Sequence, residues 1–174
     1  MTEERDASVE GALHTVDGVG TVRMTARFAT DIDDLWSALT EPQRLVRWYG
    51  KVQGDLRESG EFTAFVFASE WDGHGRVDSC IRPQNLQVTQ WEEEGAEHVI
   101  SVELVADGDH TILMLVTRGM PVDLLWAYGA GWHVHLEDLG AYIAGKDREE
   151  LSTTSKARMD ELVPIYRAMD VGAQ

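Results

Sequence analysis

The sequence predicts an α+β domain in which an antiparallel sheet of seven strands carries a long C-terminal helix across one face. Three observations support this. Along residues 21–29, Val22, Met24, Ala26 and Phe28 alternate with Thr21, Arg23, Thr25 and Arg27, the period-two pattern of a half-buried strand. Six more strand-like runs follow between residues 52 and 118, separated by short turns that contain Gly, Asp or Pro, as in an antiparallel meander. Finally, Leu125, Gly129, Trp132, Leu136, Leu139 and Ile143 recur at steps of 4, 3, 4, 3 and 4, which puts them on one face of a helix over 121–144. That face needs an apolar partner, and the sheet is the only large one.

The 174 residues, 43% of them hydrophobic, suit one domain with a substantial core. Residues 1–19 are expected to be an acidic, flexible arm, with at most a short strand near Leu13 and Val16. After the strand at 21–29, Thr30 and Asp31 offer helix caps, and Asp33 and Asp34 lie in the first turn, at the positive end of the helix dipole. Leu35, Trp36 and Leu39 form that short helix's stripe. Thr40-Glu41-Pro42 starts a second one, with Leu45, Val46, Trp48 and Tyr49 as apolar positions and Gly50 as its stop. The meander strands are expected at 52–57, 61–69, 75–81, 86–91, 97–106 and 110–118, with Trp71-Asp72-Gly73 in a turn. Beyond Gly145 comes a charged linker, then an amphipathic helix with Met159, Leu162, Val163, Tyr166 and Met169, bent or broken at Pro164 and packed on its own domain. The chain thus divides into 1–19, 20–145 and 146–174.

Charge excludes several functions. Fifteen basic against 31 acidic residues give −16 at pH 7, a surface that repels phosphate backbones and anionic lipid heads. Neither a nucleic acid nor a membrane is an expected partner. One cysteine, Cys80, allows no intrachain disulfide and no thiolate-rich metal site. No signal peptide and no apolar run of ~20 residues is visible, so a cytoplasmic location is expected. No motif calls for a cofactor. His133-Val134-His135 has the wrong spacing for a metal pair on a helix, and His133 with Glu137 is expected as a surface pair. There is no Gly-x-Ser-x-Gly elbow, and Gly18-Val19-Gly20 precedes a strand, the wrong setting for a dinucleotide loop.

Asp33-Asp34-Leu35-Trp36-Ser37-Ala38-Leu39-Thr40-Glu41-Pro42, then Leu45 and Trp48-Tyr49-Gly50, resemble the opening signature of the family named for the activator of heat shock protein 90 ATPase. Asp55-Leu56-Arg57 with Gly60, Gly75-Arg76-Val77, Thr111 and Gly131-Trp132 extend the match over about residues 20–145. Ser59-Gly60 stands where such families often have Gly-Gly. The resemblance implies a helix-grip fold, as in START-like and birch-pollen-allergen-like proteins: a curved sheet gripping the C-terminal helix, with a cavity between them. Characterised relatives bind lipids, hormones or polyketides, and some catalyse cyclisation or dehydration. The co-chaperone that names the family carries a further N-terminal domain, which is not expected here, with about twenty residues before the first expected strand.

Three readings of function follow. The first is binding of a small, largely apolar molecule in the cavity. Leu125, Gly129, Trp132 and Leu136 are expected on the helix side, and Phe65, Phe67, Trp71 and Trp91 on the sheet side. Phe62 takes the opposite strand face from Phe65 and Phe67, and which face is concave stays open. The second is a cyclase or dehydratase acting on a polyketide-like compound, with Glu70, His74 and Arg76 as acid–base candidates at the cavity mouth. The third is stimulation of an Hsp90-type ATPase. A homodimer through a sheet edge or the last helix is compatible with each.

Overall fold

In the computed structural model, which describes residues 7–173, the chain runs β1 (Ala7–Val16), β2 (Val19–Phe28), α1 (Ile32–Thr40), α2 (Pro42–Trp48), β3 (Gly50–Gly54), β4 (Glu61–Val66), β5 (Trp71–Ile81), β6 (Asn85–Trp91), β7 (His98–Asp107), β8 (His110–Met120), α3 (Leu125–Ile143), α4 (Arg148–Arg167) and β9 (Val171–Ala173). The strands form one sheet in the order β3-β4-β5-β6-β7-β8-β2-β1-β9. Every described neighbour pair is antiparallel except β1 with β9. The expected helix-grip arrangement is present, with nine strands rather than seven.

Both additional strands lie at the ends of the chain. The expected arm is a strand from Ala7 onward, in register with β2 from Ala7 opposite Phe28 to Val16 opposite Val19. Asp17 and Gly18 close this hairpin with positive φ angles of 51° and 76°. Residues 1–6 of the arm lie outside the described residues. β9 has only three residues, too few to show a period, and pairs with β1 at Leu13–Thr15.

Local chemistry sets the helices. The Asp31 carboxylate accepts from the Asp34 backbone N–H at 2.9 Å and caps α1. Pro42 opens α2, where no intrahelical donor is lost. Thr40 does not cap α2; its hydroxyl donates back to the Trp36 carbonyl at 2.7 Å. α4 begins at Arg148, where a linker was expected, because Asp147 and Glu150 form a reciprocal capping box. It continues through Pro164 to Arg167 and packs on α3.

Strand alternation sorts the two faces of the sheet. On β4, Phe62, Ala64 and Val66 point inward, while Phe65 is 38% exposed on the outer face. β5 starts at Trp71, so the expected turn there belongs to Ala68, Ser69 and Glu70, the last with φ of 56°. The register of β5 shifts between Val77 and Ser79. This one-residue bulge lets Val77 and Cys80, three apart, both face inward.

α1 and α2 pack over the β3 edge and parts of β7 and β8, whereas α3 packs on β1 and β2 at the other side. The core is continuous between them.

Candidate functional site

Where α3 leaves β1 and β2, a cavity of about 120 Å³ opens between it, α2 and the inner face of β4–β8. Val77, Val88, Ile100, Val102, Leu113 and Leu115 form its floor. Leu45, Trp48 and Tyr49 wall one side, and Trp132 and Leu136 descend from α3. Leu39, Leu56, Cys80 and Leu86, all partly exposed, form a rim between the end of α1, the β3–β4 loop and the β5–β6 hairpin. The volume is close to the ~150 Å³ of an apolar protein cavity that admits benzene.

The few polar groups gather at one end. Gln90, 6% exposed, lines the cavity and hydrogen-bonds to the Tyr49 side chain. Its Oε1 is 3.2 Å from Nε2 of His98. Burial pushes the Tyr49 hydroxyl up to about 12, against the Gln90 bond, so it is protonated at neutral pH. Burial lowers the pKa of the half-buried His98, so it favours the neutral imidazole. Tyr49 also packs against Trp132 (6.3 Å between ring centres) and edge-on to His135 (5.5 Å). His135 is 5% exposed, its Nδ1 has no hydrogen-bond partner among the described residues, and burial lowers its pKa to about 4.

The expected cavity residues divide. Trp132 and Leu136 line this space, but Leu125 and Gly129 do not. Leu125 is buried beside Gly20 on β2, and a Cβ at Gly129 would come within 2.7 Å of the Tyr166 ring and 2.9 Å of Leu13. Gly129 therefore admits α4 and β1 rather than a ligand. Phe65 faces outward by strand parity. Phe67 lies beneath the Arg148 guanidinium, 3.4 Å from the ring centre. Trp91 is on the outer face, stacked on His74 at 6.1 Å, and Trp71 packs edge-on to His98, one layer beyond the cavity. Phe62, left open between faces, lies on the concave one and lines the cavity.

The expected polar trio is not assembled. His74 sits within β5 rather than in a turn, and Arg76 donates to Asp78 at 2.9 Å on the same outer face. Glu70 lines a separate polar cleft of about 490 Å³ between the β4–β5 turn, α3 and α4. Asp138, Arg148, Ser155 and Lys156 also border that cleft. Asp138 is 7% exposed and accepts from the Ser155 hydroxyl at 2.8 and 2.9 Å. Burial, joined by the Glu137 charge and opposed by Ser155 and Arg148, raises its pKa to about 7.

His133 and Glu137 do pair, Nε2 to Oε1 at 3.2 Å, but beneath α4 rather than on the surface. The Tyr166 hydroxyl is 2.8 Å from the other ring nitrogen of His133, and Arg158 grips both Glu137 oxygens at 2.8 and 2.9 Å. Burial would raise the Glu137 pKa, but the bonds from His133 and Arg158 outweigh it and hold it at about 2. Among the described residues, no group of three or more His, Cys, Asp or Glu could hold a metal ion, and no helix is long and apolar enough to cross a membrane.

Gln90 was not singled out by its sequence, although a signal was there. It shares strand parity with the inward Leu86 and Val88, and a polar residue at an inward position of an apolar strand is a candidate ligand contact.

Comparison with known proteins supports the same architecture. CalU16 from Micromonospora echinospora is 24% identical, with a TM-score of 0.69 for its crystal structure over 93% of this chain and 99% of that one. DynU16, from the dynemicin biosynthetic locus, is 20% identical with a TM-score of 0.68, over 74% of this chain and 48% of that one. The AHSA1 protein from Silicibacter pomeroyi is 22% identical with a TM-score of 0.58, over 71% of this chain and 97% of that one. No curated protein sequence matches. Residues 29–144, about two thirds of the chain, match the family described as Activator of Hsp90 ATPase homolog 1-like protein, and the chain belongs to that family.

Proposed function

We propose that the chain binds a small, largely apolar molecule between the sheet, α2 and α3. The observation that carries this is the unfilled space lined by Val77, Val88, Ile100, Leu113 and Trp132, with one buried amide, Gln90, among its walls. An apolar lining with a few placed polar groups is the usual makeup of a small-molecule site. The place of DynU16 in a biosynthetic locus is in keeping with small-molecule handling by this fold. The acid–base reading loses its basis in Glu70, His74 and Arg76, none of which lines the cavity.

Cys80 gives the test, because it is the only cysteine and stands on the rim. Its thiol should react slowly with a slim alkylating reagent, since burial and the Glu58 charge raise its pKa against the effect of Arg82. Saturating one-ring apolar compounds should slow it further and raise the melting temperature. If no such compound changes either readout, the cavity is not a ligand site.

A further inference from the structure

The polar end of the cavity constrains what it can hold, provided that the cavity is the ligand site. The Thr40 hydroxyl is committed to the Trp36 carbonyl, and the Trp48 indole N–H donates to the Ala38 carbonyl at 3.0 Å. Neither proton is available to a guest. Gln90 differs. An amide has two N–H donors and an oxygen with two lone pairs. With Nε2–H of neutral His98 donating to Oε1, the amide is oriented with its oxygen on His98 and its NH₂ toward Tyr49. One hydrogen serves the Tyr49 oxygen, which leaves a second amide N–H and the Tyr49 O–H proton at the cavity with no acceptor among the described residues. Donors that face an apolar cavity without a protein acceptor are poorly satisfied, and a guest that supplies an acceptor there gains a hydrogen bond.

We infer that Gln90 and Tyr49 form a two-donor clamp for one acceptor oxygen, and that the cavity selects an uncharged, one-ring-sized molecule carrying a single carbonyl. Among the described residues no cation lines this cavity, and the chain carries −16, so a carboxylate has no counter-charge there. A pure hydrocarbon leaves both donors unpaired. A carbonyl oxygen, with two lone pairs in one plane, accepts from both at once.

Acetophenone and α-methylstyrene test this. They share a shape, and only the first has the oxygen. Calorimetric titration of the full chain should show a preference for acetophenone of roughly tenfold or more, the scale of one net hydrogen bond. Tyr49→Phe, which keeps the ring against Trp132, should reduce that preference, and Gln90→Leu should abolish it. Benzoate should not bind. Equal affinities in the parent chain, or a preference that survives in Tyr49→Phe and in folded Gln90→Leu, would overturn the clamp while leaving the cavity as a binding site. Failure of both neutral compounds to bind would overturn the cavity reading, and the clamp with it.

Discussion

α3 meets the sheet in two ways. In its first turns it lies tight on β1 and β2, with Leu125 against Gly20, and Gly129 between Leu13 and the Tyr166 ring that α4 inserts from behind. One turn later, Trp132 and Leu136 from the same stripe face empty space above β4–β8. A single apolar stripe thus has two roles, and what lies beneath decides which. At Gly129, β1 and α4 both close on the helix. At Trp132 a space remains between the helix and β4–β8, and α1, α2, the β3–β4 loop and the β5–β6 hairpin border it. The ordinary core end fixes the helix, and the other end is free to be hollow.

Gly129→Val breaks the packed end most severely. Its branched side chain would meet rigid ring atoms of Tyr166 within 3 Å, and Leu13 blocks the other side. Overpacking of this kind costs roughly 3 kcal/mol, or about 6–12 °C in Tm for a domain of this size. Thermal unfolding followed by circular dichroism would check it, and an unchanged Tm would mean that α3 is not held where the contrast requires.

The same contrast marks the limit of what was legible in the sequence. Periodicity located α3 and most of the sheet, because the alternation of β2 and the 4-3-4 stripe are long enough to show. Periodicity cannot report distance, so Gly129 and Trp132 looked equivalent. β1 is legible only as a short strand near Leu13 and Val16, because Gly11 and Ala12 interrupt its alternation, whereas it runs from Ala7 to Val16. Strand parity left Phe62 and Phe65 on opposite faces without saying which face curves inward. The bulge in β5 that turns Cys80 inward depends on pairing with β6 and leaves no local trace. The apolar walls follow from composition, whereas the Gln90–Tyr49 end needed the register of three elements.

His135 and Asp138 are buried titratable groups three residues apart on α3, and their pKa values are shifted in opposite senses. Asp138, under α4, has its pKa raised from 3.8 to about 7. Below pH 4 it is protonated in both folded and unfolded chains. As pH rises toward 7 the unfolded chain ionises first, so Asp138 costs stability progressively, and fully above that. His135, packed edge-on to Tyr49 and Trp132, is lowered from 6.5 to about 4, so above pH 6.5 it is neutral in both states. As pH falls from 6.5 to 4 the unfolded chain takes the proton first, and stability is lost. The slopes oppose one another between pH 4 and 6.5. Asp138→Asn keeps an acceptor for Ser155 and removes one slope. At about 1.4 kcal/mol per tenfold the net shift, in which Ser155 and Arg148 are already counted, sets a ceiling of roughly 4 kcal/mol on the gain at pH 8. Urea titrations at pH 8 and pH 5 should show the variant more stable than the parent at pH 8, and losing more stability than the parent on acidification. Parallel pH profiles would mean that Asp138 does not titrate in this window.

Val88→Ile is the smallest change and carries the opposite sign to Gly129→Val. Val88 lines the cavity and is only partly buried, so one further methylene extends into space that nothing fills. β-branching is retained, so the strand preference of β6 is unchanged. A buried methylene contributes about 0.8 kcal/mol, which sets a ceiling on the gain and corresponds to about 2–3 °C in Tm. The added volume also competes with any guest, so acetophenone should bind more weakly to the variant even as its Tm rises. A variant that loses stability instead would show that the space above Val88 is already filled, and that both ends of α3 pack alike.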